Sequence, residues 1–480
     1  MLYSVALPAP RRFGILFVAL EIVGRMPGNF ARALAHRNYR LFLSGQAVSL
    51  IGTWMQQLGL SWLTYDLTRS AWLLALVNFS AQVPALFLAP VAGVIADRAN
   101  RYRIIVITQT VAMLQAAALA VLTWYGDIQV WQIIALSVIL GLVTAFDMPT
   151  RQAFLVEMVP RRDDLANAVA LNSSMVNAAR LVGPFLAGLL IAAGGPLYCF
   201  ALNAVSYVAV LGALLLMRDL PERPATEHGP VLRGLLDGFR YAFRFAPIRA
   251  LLLLSALVSM MGATLSLLMP VYADTILAGG PRLLGFLTGA SGLGALCAAV
   301  TLLSRRSVIG LGSLLTYSGL TFGAGLIAFA LSRNAWLSLL ILVPTGFAMM
   351  FHLAASNTLL QTIVDEDKRG RVMSLYAMAF LGTAPLGSLL AGGIAERFGA
   401  ATALIVSGTA CIAGTLVFLR RLPALREQVR PIYTAIGILP ETGTAHVVPA
   451  EQLTPQRVKE ETTAAIAETN ALTQPPERGI

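Results

Sequence analysis

The sequence predicts an all-α membrane protein with twelve transmembrane helices arranged in two six-helix halves. Its 480 residues are 57% hydrophobic and only 12% charged, whereas soluble domains carry about 25% charged residues. Apolar runs of the length that crosses a hydrocarbon core of about 30 Å recur along the chain. They lack the alternation of barrel strands, so helices are the remaining way to span lipid.

Apolar length places the twelve spans as follows. They are Leu41–Tyr65, Leu73–Ala96, Ile104–Tyr125, Trp131–Pro149, Ala166–Ala193, Leu197–Met217, Leu251–Tyr272, Leu284–Leu303, Gly312–Leu331, Trp336–Ala355, Val372–Ile394 and Ala401–Leu419. The first six spans form one half, residues 41–217, and the last six form the other, residues 251–420.

Three further segments complete the chain. Residues 1–40 are predicted to be an N-terminal cytoplasmic segment, whose apolar run Phe13–Val23 is too short to span and is either a signal-like core or a leader before a start at Met26. Residues 218–250 are predicted to be a cytoplasmic linker with an amphipathic helix, because apolar residues recur there at helical spacing. Its apolar positions are Leu232, Leu235, Leu236, Phe239 and Phe243. Residues 421–480 lack a sustained apolar period and are predicted to be a largely disordered cytoplasmic tail.

Arginine and lysine residues concentrate in the loops that follow even-numbered spans. The loops after odd-numbered spans hold only Arg69, Arg282, Arg333 and Arg397. Because positive residues favour the cytoplasmic side, both termini are predicted to be cytoplasmic, in a multi-pass protein of the inner (plasma) membrane. The same distribution assigns the net charge of +11 to the membrane surface and not to nucleic acid.

The two halves are predicted to be a parallel internal repeat. Thr144-Ala-Phe146 is echoed by Thr345-Gly-Phe347, and Pro184 is echoed at the same offset by Pro385. An even number of spans separates the copies, so they share one orientation. Transporters use such halves to rock about a site near the midplane. Chance similarity between two apolar helices is the alternative explanation.

A charged motif lies between spans two and three, and reads Gly93-Val-Ile-Ala-Asp97-Arg98-Ala-Asn-Arg101. The glycine would permit close helix approach, and the charged groups could form a network that exists in one conformation and breaks in another. Asp147 is the predicted partner of Arg101, and Arg151 belongs to the same network. A plain positive-inside anchor would explain the arginines but not Gly93 or Asp97.

Span five combines a charge with a proline. Arg180 interrupts its apolar run, at a cost of about 2.5–3.5 kcal/mol on insertion scales. Gly183, Pro184 and Gly188 follow Arg180, and they are predicted to make the helix mobile. The second half has the matching proline at Pro385, which is predicted to do the same. The position that matches Arg180 is Leu381, so the substrate chemistry is expected in the first half.

These motifs closely resemble those of the major facilitator superfamily. Within it, Asp147-x-Pro149-x-Arg151-Gln152 and Asn177-x-Ala-Arg180-x-x-Gly183-Pro184 are similar to the branch that contains the enterobactin exporter and related secretion and macrolide-efflux carriers. The resemblance covers about residues 35–420. Asn100 replaces a usual glycine of the first motif, and span four lacks the arginine of proton-coupled drug antiporters.

The resemblance implies a secondary active exporter of a siderophore- or drug-like molecule, working by alternating access in exchange for protons, as a monomer without a cofactor. A nutrient importer and a non-transporting receptor or scaffold are the alternatives. The residues predicted to contact the substrate or coupling ion share polar helix faces. They are Arg180, Gln46, Gln56, Asn78, Gln82, Asn172 and Asn177.

Each of these side chains has a structural alternative. A buried glutamine or asparagine commonly makes an interhelical hydrogen bond, and Arg180 could sit in a buried ion pair. The sequence has no hydrolase constellation, phosphate-binding glycine loop or metal-ligand spacing, and its three cysteines fall singly in apolar segments. We therefore expect no enzymatic activity and no metal, with an ion gradient as the energy source.

Overall fold

The computed structural model describes residues 32–159, 161–218, 239–305 and 307–438. These ranges are helical and contain no strand. After a short 3-10 helix over Arg32–Ala35 the helices are α1 (Arg37–Thr68), α2 (Ala71–Arg98), α3 (Arg101–Tyr125), α4 (Val130–Met158), α5 (Arg162–Gly194), α6 (Leu197–Leu215), α7 (Ala246–Val271, continued by a π-helical turn Tyr272–Ile276), α8 (Gly280–Ser304), α9 (Leu311–Leu331), α10 (Ala335–Ile363), α11 (Arg369–Leu381), α12 (Thr383–Phe398) and α13 (Ala400–Ala435). The all-α fold predicted from the sequence is confirmed.

Each predicted span coincides with a helix, and the eleventh is the pair α11–α12. Within the described ranges, eleven segments are long and apolar enough to cross a membrane. The first predicted span, α1, is not one of them, although its 32 residues extend about 48 Å. Buried glutamines and hydroxyl groups lower its hydropathy. Because they face protein, they do not prevent the helix from spanning.

Several helices extend beyond their predicted spans, α4 and α13 the furthest. Helix α4 continues through Pro149 to Met158, since Phe154, Leu155 and Met158 are buried at helical spacing and pack that last part against the bundle. Helix α13 runs past residue 421, where the disordered tail was predicted, because Leu422 and Leu425 continue its buried face. The described residues up to Gln428 form one compact unit, and residues 429–438 belong to a second.

The linker is described from residue 239 onward, and residues 239–244 are helical. The rings of Phe239 and Phe243 stack at 4.2 Å. Tyr241 donates to Asp365 at 3.1 Å, and a hydrogen bond from Lys368 holds the pKa of Asp365 below its usual value. The other apolar positions of the predicted amphipathic helix, Leu232 to Leu236, lie outside the described residues.

The first half (α1–α6) meets the second half (α7–α13) mainly through α5 against α8 and α2 against α12. The backbones come very close: a Cβ added to Gly188 would lie 2.7 Å from the Cα of Gly285, and one added to Gly392 would overlap the side chain of Ala75. Both contacts lie toward the helix ends near Arg69, which we call the Arg69 end. We call the opposite end of the bundle, near Arg101, the Arg101 end.

Between described residues, the hydrogen bonds that join the halves all lie toward the Arg69 end. They are Tyr65 with Thr275 (2.6 Å), Arg69 to Asp274, Ser70 and the Trp72 amide to Glu396 (3.0 and 3.1 Å), and Asn78 to Ser388 (3.4 Å). At the Arg101 end, by contrast, a Cβ added to Gly93 would meet nothing within 4 Å. The halves are therefore fastened together at the Arg69 end.

Candidate functional site

A cavity of about 420 Å³ lies between the two halves. The first half contributes α1 and α5, and the second contributes α7, α8, α10 and α11. Its polar lining comprises Gln57, Ser61, Arg180, Ser266, Thr288, Ser291, Asn357 and Tyr376, and its larger apolar lining includes Trp54, Met269, Met349, Met350 and Phe380. The cavity thus combines one cationic side chain with an aromatic and thioether wall.

Arg180 is the charged side chain of this lining. Its guanidinium carbon lies 5.3 Å from the ring centroid of Trp54, a cation–π geometry. Among the described residues, no carboxylate approaches it within ion-pair distance. The described structure therefore favours a ligand contact for Arg180 over the alternative of a buried ion pair, because its charge faces a cavity with only an aromatic ring beside it.

Glycine and proline shape α5 around Arg180. Pro184 has no N–H, so the carbonyl of Arg180 one turn earlier lacks its helical hydrogen bond. Gly292 of α8 lies beside that carbonyl: a Cβ added to Gly292 would be 3.5 Å from the Arg180 oxygen. Gly183 lies against α1, where an added Cβ would come within 2.5 Å of Trp54 Cβ. These contacts place Arg180 and Trp54 side by side; the mobility predicted for Gly183, Pro184 and Gly188 remains a prediction.

Two of the predicted substrate contacts on α1 belong to the interior of the first half. Gln56 donates to Gln115 of α3 at 2.9 Å and accepts from Asn203 of α6 at 2.8 Å. Gln46 is also buried, at 3% exposure. Neither lines this cavity, and Gln56 makes the hydrogen bonds of the interhelical alternative; their contact with substrate stays a prediction. The cavity face of α1 instead carries Trp54, Gln57 and Ser61. Adjacent residues of a helix point about 100° apart, so Gln56 and Gln57 face different surroundings. The polarity of a side chain does not tell whether it faces a cavity or a polar core.

The remaining amide candidates also lie off this cavity. Asn78 reaches Ser388 across the halves, and Gln82 donates to the Asn78 side chain. These two residues therefore belong to the contact between α2 and α12. On α5, Asn177 donates to the Ser173 carbonyl at 2.9 Å, and Asn172 is partly exposed. Of the seven predicted contacts, Arg180 is the one that lines the cavity.

The charge network at the Arg101 end differs from the predicted pairing. Asp147 accepts from Arg151 at 2.5 Å and from Thr108 and Gln109 at 3.0 and 2.8 Å. Arg101 pairs instead with Glu157 at 2.7 Å. The cause is the continuation of α4 past Pro149: Asp147 and Arg151 then stand one turn apart on one face, and Glu157 is carried to Arg101. The side chains of Asp97 and Arg98 lie outside the described residues.

Several lining residues escaped sequence analysis because they look like ordinary core residues. Met349, Met350 and Phe380 belong to apolar spans, and only tertiary packing shows that they face a cavity. Most lining residues come from the second half, contrary to the expectation that the chemistry lies in the first. Asn357, an amide near the end of α10 that accepts a hydrogen bond from Gln361 at 3.0 Å, was the signal available in the sequence.

Comparisons with known proteins agree with this architecture. The family described as "Transmembrane secretion effector" matches residues 29–435. The staphyloferrin A transporter of Staphylococcus aureus is 28% identical over 79% of this chain and 95% of its own length. Macrolide efflux protein A of Streptococcus pyogenes is 24% identical over 78% of this chain and 93% of its own.

The fold is also similar to that of a solved transporter. The crystal structure of the nucleoside transporter NupG superposes with a TM-score of 0.63 at 15% identity, covering 80% of this chain and 98% of that one. At this identity the likeness concerns the fold alone. Together with the family match, it confirms the resemblance that the motifs indicated. The chain belongs to the transmembrane secretion effector family of the major facilitator superfamily, whose members are multi-pass membrane transporters of small molecules and not enzymes.

Proposed function

We propose that this chain is a secondary active exporter of the inner membrane, moving a small organic molecule outward in exchange for protons. The observation that carries the proposal is Arg180, a cation facing a cavity between two repeated halves. The substrate would be siderophore- or drug-like, with a carboxylate, catecholate or other anionic group at Arg180. Its apolar or aromatic body would contact Trp54 and the methionine wall, because thioethers and rings adapt to irregular apolar shapes.

The two ends of the bundle are compatible with the proposed direction. The arginine-rich loops predict that the Arg101 end and both termini lie on the cytoplasmic side. The hydrogen bonds between the halves close the Arg69 end, so this conformation would admit substrate from the cytoplasm. The names of the staphyloferrin A and macrolide relatives are consistent with such a substrate.

Alternating access would exchange one set of contacts for another. Opening the Arg69 end breaks the bonds of Arg69 and Glu396 to the opposite half and separates Gly188 from Gly285. Closing the Arg101 end would then bring the second half against Gly93, which now faces open space. A charge network around Arg101 and Asp147 would be rearranged by that closure. The cavity is complete within one chain, so a monomer suffices.

Flux in proteoliposomes tests the proposal. Purified full-length chain is reconstituted with its orientation determined, and staphyloferrin A and a macrolide serve as probes while a trapped dye reports internal pH. We expect transport of a probe toward the side of the Arg69 end, coupled to proton movement in the opposite direction, and its loss when the pH gradient is collapsed.

Other outcomes identify the alternatives. Transport that survives collapse of the pH gradient contradicts proton antiport. Net transport toward the Arg101 end would indicate an importer. Folded protein that moves neither probe and shows no binding to the cavity would favour the receptor or scaffold.

A further inference from the structure

A second, apolar groove of about 640 Å³ opens on the side of the bundle, where α5 of the first half meets α8 and α10 of the second. Apart from the indole N–H of Trp336, the side chains that line it are apolar, and the rings of Phe185 and Phe286 meet across the halves at 5.5 Å. Leu181 lines the groove while its neighbour Arg180 lines the central cavity. One face of α5 therefore lines the cavity, and the adjacent face of the same helix lines the groove.

Polar groups occur at only one end of the groove. The Arg282 guanidinium lies over the ring of Phe286, 5.8 Å from its centroid, and the side chain is exposed. Within the described part of the chain it forms no ion pair. Trp336, the second residue of α10, lines the same mouth with 81% of its surface exposed. A cation and an indole N–H at the mouth of an apolar groove match the interface between headgroups and hydrocarbon.

The length of the groove fits one leaflet. Eleven residues separate Arg282 from Leu293 at its deep end, about 16 Å along α8 at 1.5 Å per residue. The hydrocarbon of one leaflet is about 15 Å deep, half of a core of about 30 Å. A chain anchored by its headgroup at Arg282 would therefore reach the bottom of the groove.

We propose that this groove is a binding site for one phospholipid, with its phosphate at Arg282 and one acyl chain lying along the apolar surface formed by α5, α8 and α10. Lipid tails outside the groove are as apolar as its lining, so burial alone gives no preference. Selectivity comes from the phosphate contact and from the fit of the chain. The site spans both halves, so a bound lipid holds them together at the Arg69 end and must leave or shift when α5 and α8 separate.

Gly289 is a position from which a larger side chain would fill the groove. It lines the groove, and an added Cβ would meet nothing within 4 Å. Gly212 in α6 is equally open and does not line the groove. Gly289→Phe and Gly212→Phe thus form a matched pair, and Arg282→Ala with Arg282→Lys tests the headgroup.

Native mass spectrometry of the delipidated full chain, titrated with palmitoyl-oleoyl phosphatidylglycerol, measures binding without a transport substrate or gradient. We expect Gly289→Phe and Arg282→Ala to weaken lipid binding about tenfold, while Gly212→Phe and Arg282→Lys bind as the parent chain does.

Equal binding by the two phenylalanine variants overturns the proposed site. Unchanged binding in Arg282→Ala overturns the phosphate assignment. Displacement of the lipid by staphyloferrin A or a macrolide, but not by a second phospholipid, would show the groove to be a substrate site instead. None of these outcomes depends on whether the chain exports.

Discussion

The repeat-related helices α5 and α11–α12 carry a proline at the same place and differ in what happens around it. Pro184 lies inside a continuous α5, whereas Pro385 lies in the first turn of α12, just after Gly382 separates it from α11. The residue of α5 that matches Gly382 is Leu181. Gly382 keeps right-handed helical dihedrals (φ -78°, ψ -26°), so its place in the second half reflects close packing: an added Cβ would lie 2.7 Å from the Leu86 side chain of α2.

The same two helices also differ in chemistry. Arg180 faces the cavity beside Trp54, while its counterpart Leu381 is 49% exposed. The two segments of the predicted repeat therefore match in their proline and differ in their charge. The first half supplies a fixed cation on an unbroken helix, and the second supplies an interrupted helix and most of the apolar wall.

The largest expected effect comes from removing that charge. Arg180→Ala should lower the transport rate per reconstituted protein about tenfold to a hundredfold, as the loss of one charged contact of about 1.5–3 kcal/mol implies. Leu381→Ala, at the matching position, should leave it nearly unchanged. Flux with staphyloferrin A or a macrolide measures both. If Arg180→Ala reduces the yield of folded protein and spares the rate, Arg180 is structural.

The glycine contact between α5 and α8 should give the next effect. Gly188→Val would drive its side chain into Gly285 and oppose closure of the Arg69 end by about 1–3 kcal/mol, a typical overpacking cost. Spin labels at the exposed residues Leu67 and Phe398 report this opening as a longer distance by pulsed electron resonance. Gly212→Val is the control. An unchanged distance distribution would mean that this contact does not set the closed state.

Within the first half, adjacent glutamines of α1 should separate stability from transport. Gln56→Leu removes the partner of Gln115 Oε1 and of Asn203 Nδ2, two buried polar atoms, and should destabilise the fold by about 1–3 kcal/mol. Gln57→Leu should leave the melting temperature unchanged and alter the apparent affinity for the substrate. Thermal unfolding and concentration-dependent flux distinguish them. If Gln56→Leu instead alters the apparent affinity and Gln57→Leu lowers the melting temperature, Gln56 is a substrate contact and Gln57 is structural.

The smallest effect tests whether a glycine at this place loosens the helix. Leu181→Gly should destabilise α5 by about 1 kcal/mol beyond Leu181→Ala, which removes the same side chain but keeps a helix-forming backbone. Hydrogen exchange of the amides after residue 181 should increase in the glycine variant only. Equal exchange in both variants would show that a glycine at this position does not loosen the helix.

Much of the architecture was readable from the sequence because membrane burial constrains composition strongly. Apolar length located the spans, and the motifs around Gly93 and Arg180 indicated the family. Helix ends were less predictable: α4 passes Pro149 because later side chains are buried, a tertiary effect that outweighs one lost hydrogen bond. The partner of Arg101 was mispredicted for the same reason, since it depends on how far α4 extends.

By itself, the sequence determined that this protein is a duplicated, helical membrane transporter with one charge deep in span five. Only the tertiary structure decided where each polar side chain faces. Gln56 and Gln57 are chemically identical, yet one joins α1 to its neighbours and the other lines the cavity. The rotation of a helix about its axis is fixed by all the helices that pack against it, and a single helix sequence does not contain that information.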